Sequence, residues 1–200
     1  MAKTLKKLAV LAGVAAIGAA PLALADSGAS ARMLAENCTG CHGTDGASSG
    51  PASPSIGGMN GEYFVEMMKG YKEGTAPSTV MGRIAKGYSE EEISKMAAFF
   101  AAKPFVPAKQ KFDDKLAKKG EKLHDKYCEK CHAEGGKIVK DEEYYILAGQ
   151  WSPYVKWQLA DFRAGTREMP KKMRSKVENL AEKEGDAGFD ALVDYYASQQ

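Results

Sequence analysis

Apolar residues in this chain recur at helical spacing in two blocks, and a proline-marked break separates them. The first block closes on the clearest helix: Ser89 and Glu92 are spaced as a capping box, and Ile93, Met96, Ala97 and Phe100 then share one face. Earlier in that block, Ala31 to Asn37 forms a short amphipathic stretch, and Glu62 to Lys69 a mid-block helix. The second block repeats this order. Leu116, Leu123 and Tyr127 lie close to helical spacing, with Gly120 on the same face. A mid-block helix runs from Tyr154 to Phe162, with Ser152 as N-cap and Pro153 at the first helical position. Asp186 then precedes Phe189, Leu192, Val193 and Tyr196, the apolar face of a final helix. Between the blocks, Lys103-Pro104-Phe105-Val106-Pro107 stops one helix and opens a linker over residues 104–113. No convincing strand alternation appears, so a duplicated all-α unit is expected, over residues 26–103 and 114–200.

One apolar run stands outside this scheme. Leu8 to Leu24 follows Lys3, Lys6 and Lys7 and ends in Ala23-Leu24-Ala25, the pattern of a secretory signal peptide over residues 1–25, cleaved to leave Asp26 as the new N-terminus. The alternative is a retained transmembrane anchor. Its borderline length allows that, whereas the Ala and Gly content, Pro21 and the small-residue site argue for cleavage. The 200-residue chain carries 28 Lys+Arg against 26 Asp+Glu; without the signal the balance is 25 against 26, about −1. With neither a basic block nor an aromatic-interleaved patch, a nucleic-acid partner is not expected. No later apolar stretch approaches the roughly 20 residues needed to span a bilayer. The mature form is therefore expected to be soluble.

Four cysteines on an exported chain would ordinarily read as two disulfides. Here they fall as Cys38-Thr39-Gly40-Cys41-His42 and Cys128-Glu129-Lys130-Cys131-His132, once in each block. Gly-rich loops follow both, from Gly43 to Gly58 and from Gly135 onward. Each block is small and poor in large aliphatic side chains, so its core is marginal unless something large and apolar completes it. Cys-x-x-Cys-His is the signature for covalent haem attachment. The thiols of Cys38 and Cys41, and of Cys128 and Cys131, would add to porphyrin vinyl groups, and His42 and His132 would bind iron from beneath. The expected cofactors are two covalently bound haems c. A thioredoxin-like redox pair would need a βαβ setting. A zinc site would take all four thiols, but does not require a His after each second Cys. A disulfide across two residues is an uncommon structural device.

His42 and His132 complete the motifs, so His124 alone remains, and it is read as a surface or packing histidine. Three histidines cannot supply bis-His ligation to both irons. Methionine is the natural sixth ligand, and a Met/His pair raises the potential into the range of electron carriers. Met67, Met68 and Met96 sit on helices and are read as core, and Met59 follows the motif closely. Met81, in the loop just before the last helix of the first block and the counterpart of Met173, is the chosen ligand there. In the second block Met169 and Met173 are the candidates, both expected in a loop; Met173 is preferred because Pro170 beside Met169 signals a turn. Trp151, Trp157, Tyr63 and Phe64 either face porphyrins or pack in the core. Lys171-Lys172 and Asp141-Glu142-Glu143 are read as solvated faces that could orient a redox partner.

The first block, with its haem motif, Gly43-Thr44-Asp45-Gly46-Ala47, Gly50-Pro51 and Met81-Gly82-Arg83-Ile84-Ala85, resembles the tandem di-haem cytochromes of bacterial periplasms. In the second, the run from His124 to His132, Glu134-Gly135-Gly136-Lys137, Ile146-Leu147-Ala148-Gly149-Gln150-Trp151 and Tyr196-Ala197-Ser198-Gln199-Gln200 look like the cytochrome subunit of flavocytochrome c sulfide dehydrogenase. That resemblance implies two tandem cytochrome c-like domains in the periplasm, each wrapped around one haem and ligated through Met81 and Met173. It implies a partner flavoprotein with covalent FAD that oxidises sulfide, and a soluble acceptor such as a small cytochrome c. Catalysis would then lie on the partner, since this chain has no nucleotide-binding Gly fingerprint and both irons are filled. The alternatives are a free di-haem carrier between a membrane complex and a terminal oxidase, and a di-haem peroxidase with one iron open.

Overall fold

The computed structural model describes residues 28–138 and 145–200. The expected signal over residues 1–25, Asp26 and the acidic run Asp141-Glu142-Glu143 lie outside the described residues. Among those described there is no strand, and no helix is long and apolar enough to cross a membrane. The architecture is the expected all-α one.

The first half consists of α1 (Ala31–Glu36), the motif turn α2 (Thr39–His42), α3 (Gly61–Glu73), the short α4 (Met81–Ile84) and α5 (Glu90–Ala101). The capping box of α5 forms as read: Ser89 Oγ accepts from the Glu92 N–H at 3.2 Å, and Glu92 Oε2 accepts from the Ser89 N–H at 2.8 Å. Its face of Ile93, Met96, Ala97 and Phe100 is buried against Leu34 of α1 and Phe64 and Met68 of α3. Each large apolar side chain in that cluster contributes about 1.5–3 kcal/mol through burial. Asn60 caps α3, accepting from the Tyr63 N–H at 3.0 Å, and Gly74 ends it in the left-handed conformation that favours glycine.

The second half comprises α6 (Asp114–Tyr127), the turn α7 (Ala133–Gly136), α8 (Ser152–Arg163) and α9 (Lys171–Ser198). Asp113 caps α6 by accepting from the N–H groups of Lys115 and Leu116 at 2.8 and 3.0 Å. Gly120 is where α6 meets α9: a Cβ there would lie 2.0 Å from the Ala191 carbonyl oxygen. Two local expectations are corrected. Ser152 is the first residue of α8 rather than its cap, because Gln110 supplies the acceptor for its N–H at 2.9 Å. Helix α9 begins at Lys171, so Met173 lies in its first turn and not in a loop. Pro170, which has no N–H to lose, takes the N-cap position instead of merely turning the chain. The helix then breaks at Gly185 (φ 59°, ψ −158°) before the buried face of Phe189, Leu192, Val193 and Tyr196.

The duplication extends to backbone bonding. Gly46 O accepts from the N–H groups of Ile56 and Gly57, at 2.8 and 3.2 Å; Gly136 O accepts from Leu147 and Ala148, both at 2.9 Å. Gly58 N–H then donates to Phe100 O at 2.9 Å, and Gly149 N–H to Tyr196 O at 2.8 Å. Each half thus ties the loop after its motif to its last helix in the same way.

The halves are joined by specific polar contacts. Trp151 lies on Gly50, where any Cβ would collide with the indole at 2.3 Å, and its Nε1–H donates to Ser48 O at 3.2 Å. Gln150, fully buried, accepts from the Ser55 N–H and donates to Ser55 O, both at 2.9 Å. The linker is pinned to the second half by Ala108 N–H to Gly149 O at 2.7 Å and by Gln110 Nε2 to Gln150 O at 2.7 Å.

Candidate functional site

Both Cys-x-x-Cys-His segments fold back on the carbonyl of their first cysteine. His42 N–H and Cys41 N–H point to Cys38 O at 2.8 and 3.2 Å; His132 N–H and Cys131 N–H point to Cys128 O at 2.9 and 3.0 Å. One tight turn therefore carries two thiols and an imidazole together. None of the four cysteines is in a disulfide. Among the described residues no three Cys, His, Asp or Glu side chains converge as a metal-binding group, so the two cysteine pairs do not pool into a zinc site.

Burial keeps both motif histidines neutral. It pushes His42 below its usual value, opposed by the hydrogen bond to Pro54, and it lowers His132 to about 4, with nearby His124 adding to the effect. Nδ1 of His42 lies 2.8 Å from Pro54 O, which can only accept. A neutral ring must then carry its proton on Nδ1, leaving the lone pair on Nε2 for a metal. Burial also raises Cys38, and Cys128 to about 11, so both thiols stay protonated near neutrality.

The surroundings suit a large group with an apolar body and an acidic edge. Among the described residues, the buried Nε of Arg167 and the Tyr127 hydroxyl have no hydrogen-bond partner within the protein, although Arg167 Nη2 reaches Pro77 O at 3.1 Å. An unmet guanidinium nitrogen is a natural partner for a carboxylate such as a haem propionate. Tyr63, Tyr145 and Tyr154 form a ring cluster beside it, with centroids 5.5 and 6.1 Å apart, in which burial raises the hydroxyl pKa of Tyr63 to about 12. The residues present fit the cofactor that the motifs imply.

The methionines are placed differently from one another. Met81 opens α4 and so lies in a helix rather than a loop, because Ser78 Oγ holds that turn by accepting from the Gly82 N–H at 2.7 Å; its side chain is half-buried against the first core. Of the three helical methionines read as core, Met68 and Met96 are buried and Met67 is only half-buried; Met59 is buried with the core. Met169 and Met173 flank Pro170, both half-buried. Of the aromatic candidates, Phe64 is core, Trp151 bridges the halves, and Trp157 is 53 % exposed. Lys171 and Lys172 are exposed.

His124 is a packing residue of an unusual kind. It is fully buried, with Nδ1 2.9 Å from the Tyr196 hydroxyl and Nε2 2.7 Å from Glu129 Oε2, inside the second motif. Both ring nitrogens therefore have a polar partner in a site without water access. Glu129 also accepts from the Gly135 N–H at 3.3 Å, so the network clamps the attachment turn to the final helix. The sequence marks His124 only as a surface or packing histidine and Gln150 only within a phrase of the family resemblance; Arg167 carries no sequence signal. Tyr196→Phe orphans a buried ring nitrogen and is expected to cost about 1–3 kcal/mol, measured by denaturant unfolding of the holoprotein.

No protein-family model matches the chain. It is 31 % identical to cytochrome c4 of Azotobacter vinelandii over 185 residues, 84 % of this chain and 85 % of that one. It is 50 % identical to the cytochrome subunit of sulfide dehydrogenase of Chlorobaculum tepidum over 68 residues, 34 % of this chain and 61 % of that one. Among solved structures, reduced recombinant cytochrome c4 from Pseudomonas stutzeri superposes with a TM-score of 0.70 at 26 % identity, covering 86 % of this chain and all of that one.

Proposed function

The chain belongs to the cytochrome c4 family of di-haem class I cytochromes c and transfers electrons on two covalent haems c, and we propose that it serves as the cytochrome subunit of a periplasmic flavocytochrome c sulfide dehydrogenase. In this reading the domains are 26–103 and 114–200, joined by 104–113, and residues 1–25 are removed on export. Cys38 and Cys41 attach one haem, and Cys128 and Cys131 the other. His42 and Met81 would ligate the first iron, and His132 and Met173 the second. Bound there, each haem supplies a one-electron Fe(III)/Fe(II) couple at a potential that His/Met ligation raises.

The protein's own part is to hold, orient and keep dry. The motif turns fix thiols and imidazole together, burial keeps the imidazoles neutral, and the Gln150, Trp151 and Arg167 contacts hold the two sites in one body. Sulfide chemistry belongs to a flavoprotein partner with FAD, and the outgoing electron to a soluble acceptor such as a small cytochrome c.

The observation that supports this reading is the 50 % identity to a sulfide dehydrogenase cytochrome subunit, well above that to the cytochromes c4. The longer match to cytochrome c4, over 84 % of the chain, favours the second reading, a free carrier between a membrane complex and a terminal oxidase. Native purification from the periplasmic fraction, with haem and flavin assays and a sulfide titration followed in the haem bands, separates them. Two haems, a flavin on a co-purifying larger chain and haem reduction by sulfide are expected. Two haems without flavin or sulfide response would leave the free carrier.

A further inference from the structure

The proximal histidine of the first half is held by a peptide unit that the second half also grips. His42 Nδ1–H donates to Pro54 O at 2.8 Å. The same peptide continues into the Ser55 N–H, which donates to Gln150 Oε1 at 2.9 Å. Gln150 closes the pair by donating from Nε2 to Ser55 O at 2.9 Å, and Nε2 also lies 3.0 Å from the Tyr145 hydroxyl. Gln150 and Ser55 are 0 % and 1 % exposed, so no water competes for these bonds. Gln150 follows the loop that Gly149 ties to Tyr196 O, so the amide is fixed by the second half's own fold.

From this geometry we propose that Gln150 is a positioning residue through which the second domain sets the potential of the first domain's haem. The inference rests on His42 being that haem's proximal ligand. An acceptor on a peptide N–H draws electron density toward the carbonyl oxygen of the same peptide, because bonds in a chain polarise one another. Pro54 O is thereby a stronger acceptor for the His42 N–H, and a histidine whose outer N–H is more strongly bound is the more basic ligand. A more basic imidazole stabilises Fe(III) over Fe(II). Gln150 therefore lowers the first haem's potential, and that contribution exists only while the two halves are docked.

The test is a potentiometric titration of the holoprotein followed by proton NMR, with each haem assigned through contacts to residues of its own domain. Gln150→Met removes the acceptor at similar size and is expected to raise the first haem's potential while leaving the second's in place. Gln150→Glu keeps an acceptor oxygen and is expected to leave the first potential at or below that of the parent protein. Trp151→Phe loses a separate inter-domain bond, that to Ser48 O, without touching this peptide, and is expected to shift neither haem. Water entry through a loosened interface would favour Fe(III) and lower the potential, the opposite sign. No shift in Gln150→Met, a downward one, a rise in Gln150→Glu, or an equal rise in Trp151→Phe would overturn the proposal. The His42 ring protons must be paramagnetically shifted in the oxidised parent protein; if they are not, the ligand assignment has failed rather than the relay.

Discussion

In Met81→Ala, the haem of the first half is expected to change from low-spin to high-spin in the oxidised protein, and its midpoint potential to fall. A thioether is a soft ligand that favours Fe(II), so losing it shifts the balance toward Fe(III). Axial ligands set haem potentials over roughly 0.8 V, and the fall should be a clear fraction of that range. The second haem supplies the internal control, since its spectrum should not change. The packing cost is modest by comparison. Met81 is half-buried at the start of a short helix, so truncation should cost no more than about 2 kcal/mol, the low end for buried methionine. Absorbance, electron paramagnetic resonance and a potentiometric titration read the result. An unchanged low-spin spectrum would remove Met81 from the iron and reopen the peroxidase reading, which needs an accessible coordination position. The same experiment on Met173→Ala beside Met169→Ala decides which residue ligates the second haem.

Gly120→Ala is expected to be the most damaging conservative substitution in the second half. A Cβ at this position would lie 2.0 Å from the Ala191 carbonyl oxygen, 2.6 Å from its carbon and 2.7 Å from Tyr195 Cβ. The obstruction is helix backbone, which cannot swing aside, so α6 and α9 must separate. Helix propensity favours alanine by about 1 kcal/mol, and the overlap outweighs it. Separation would also strain the His124–Tyr196 bond, which spans the same two helices. A loss of more than about 3 kcal/mol is expected, near the upper end for overpacking. For a half of this size that corresponds to a melting midpoint lower by about 12–24 °C. Lys118→Ala, at an exposed position on the same helix, should melt with the parent protein. Thermal unfolding watched at the haem bands, with a haem count per purified chain, checks both. A Gly120→Ala protein with unchanged melting would show that the helices adjust at little cost.

Much of this molecule was readable before any tertiary information. The capping box at Ser89 and Glu92 and the face ending at Phe100 are local patterns, set by side chains within a turn or two of each other. The attachment motifs were equally plain, since Cys-x-x-Cys-His is contiguous chemistry. Where local pattern misleads, the deciding partner lies elsewhere in the chain. Ser152 looked like a cap until Gln110, 42 residues away, took its N–H. Met173 looked like a loop residue because Pro170 signals a turn and a helix start alike.

The sequence by itself determined an all-α duplication and two paired thiol–imidazole turns, because helical periodicity, capping and motif spacing act over a few residues. Tertiary structure alone decided that Gln150 pairs with a peptide 95 positions earlier, that Trp151 lies on Gly50, and that His124 is sealed between Tyr196 and Glu129. These contacts join single residues across large separations, and nothing periodic marks them in advance. They depend on how two complete helical faces dock. A buried polar side chain declares its role only when the partner that satisfies it has been brought into reach.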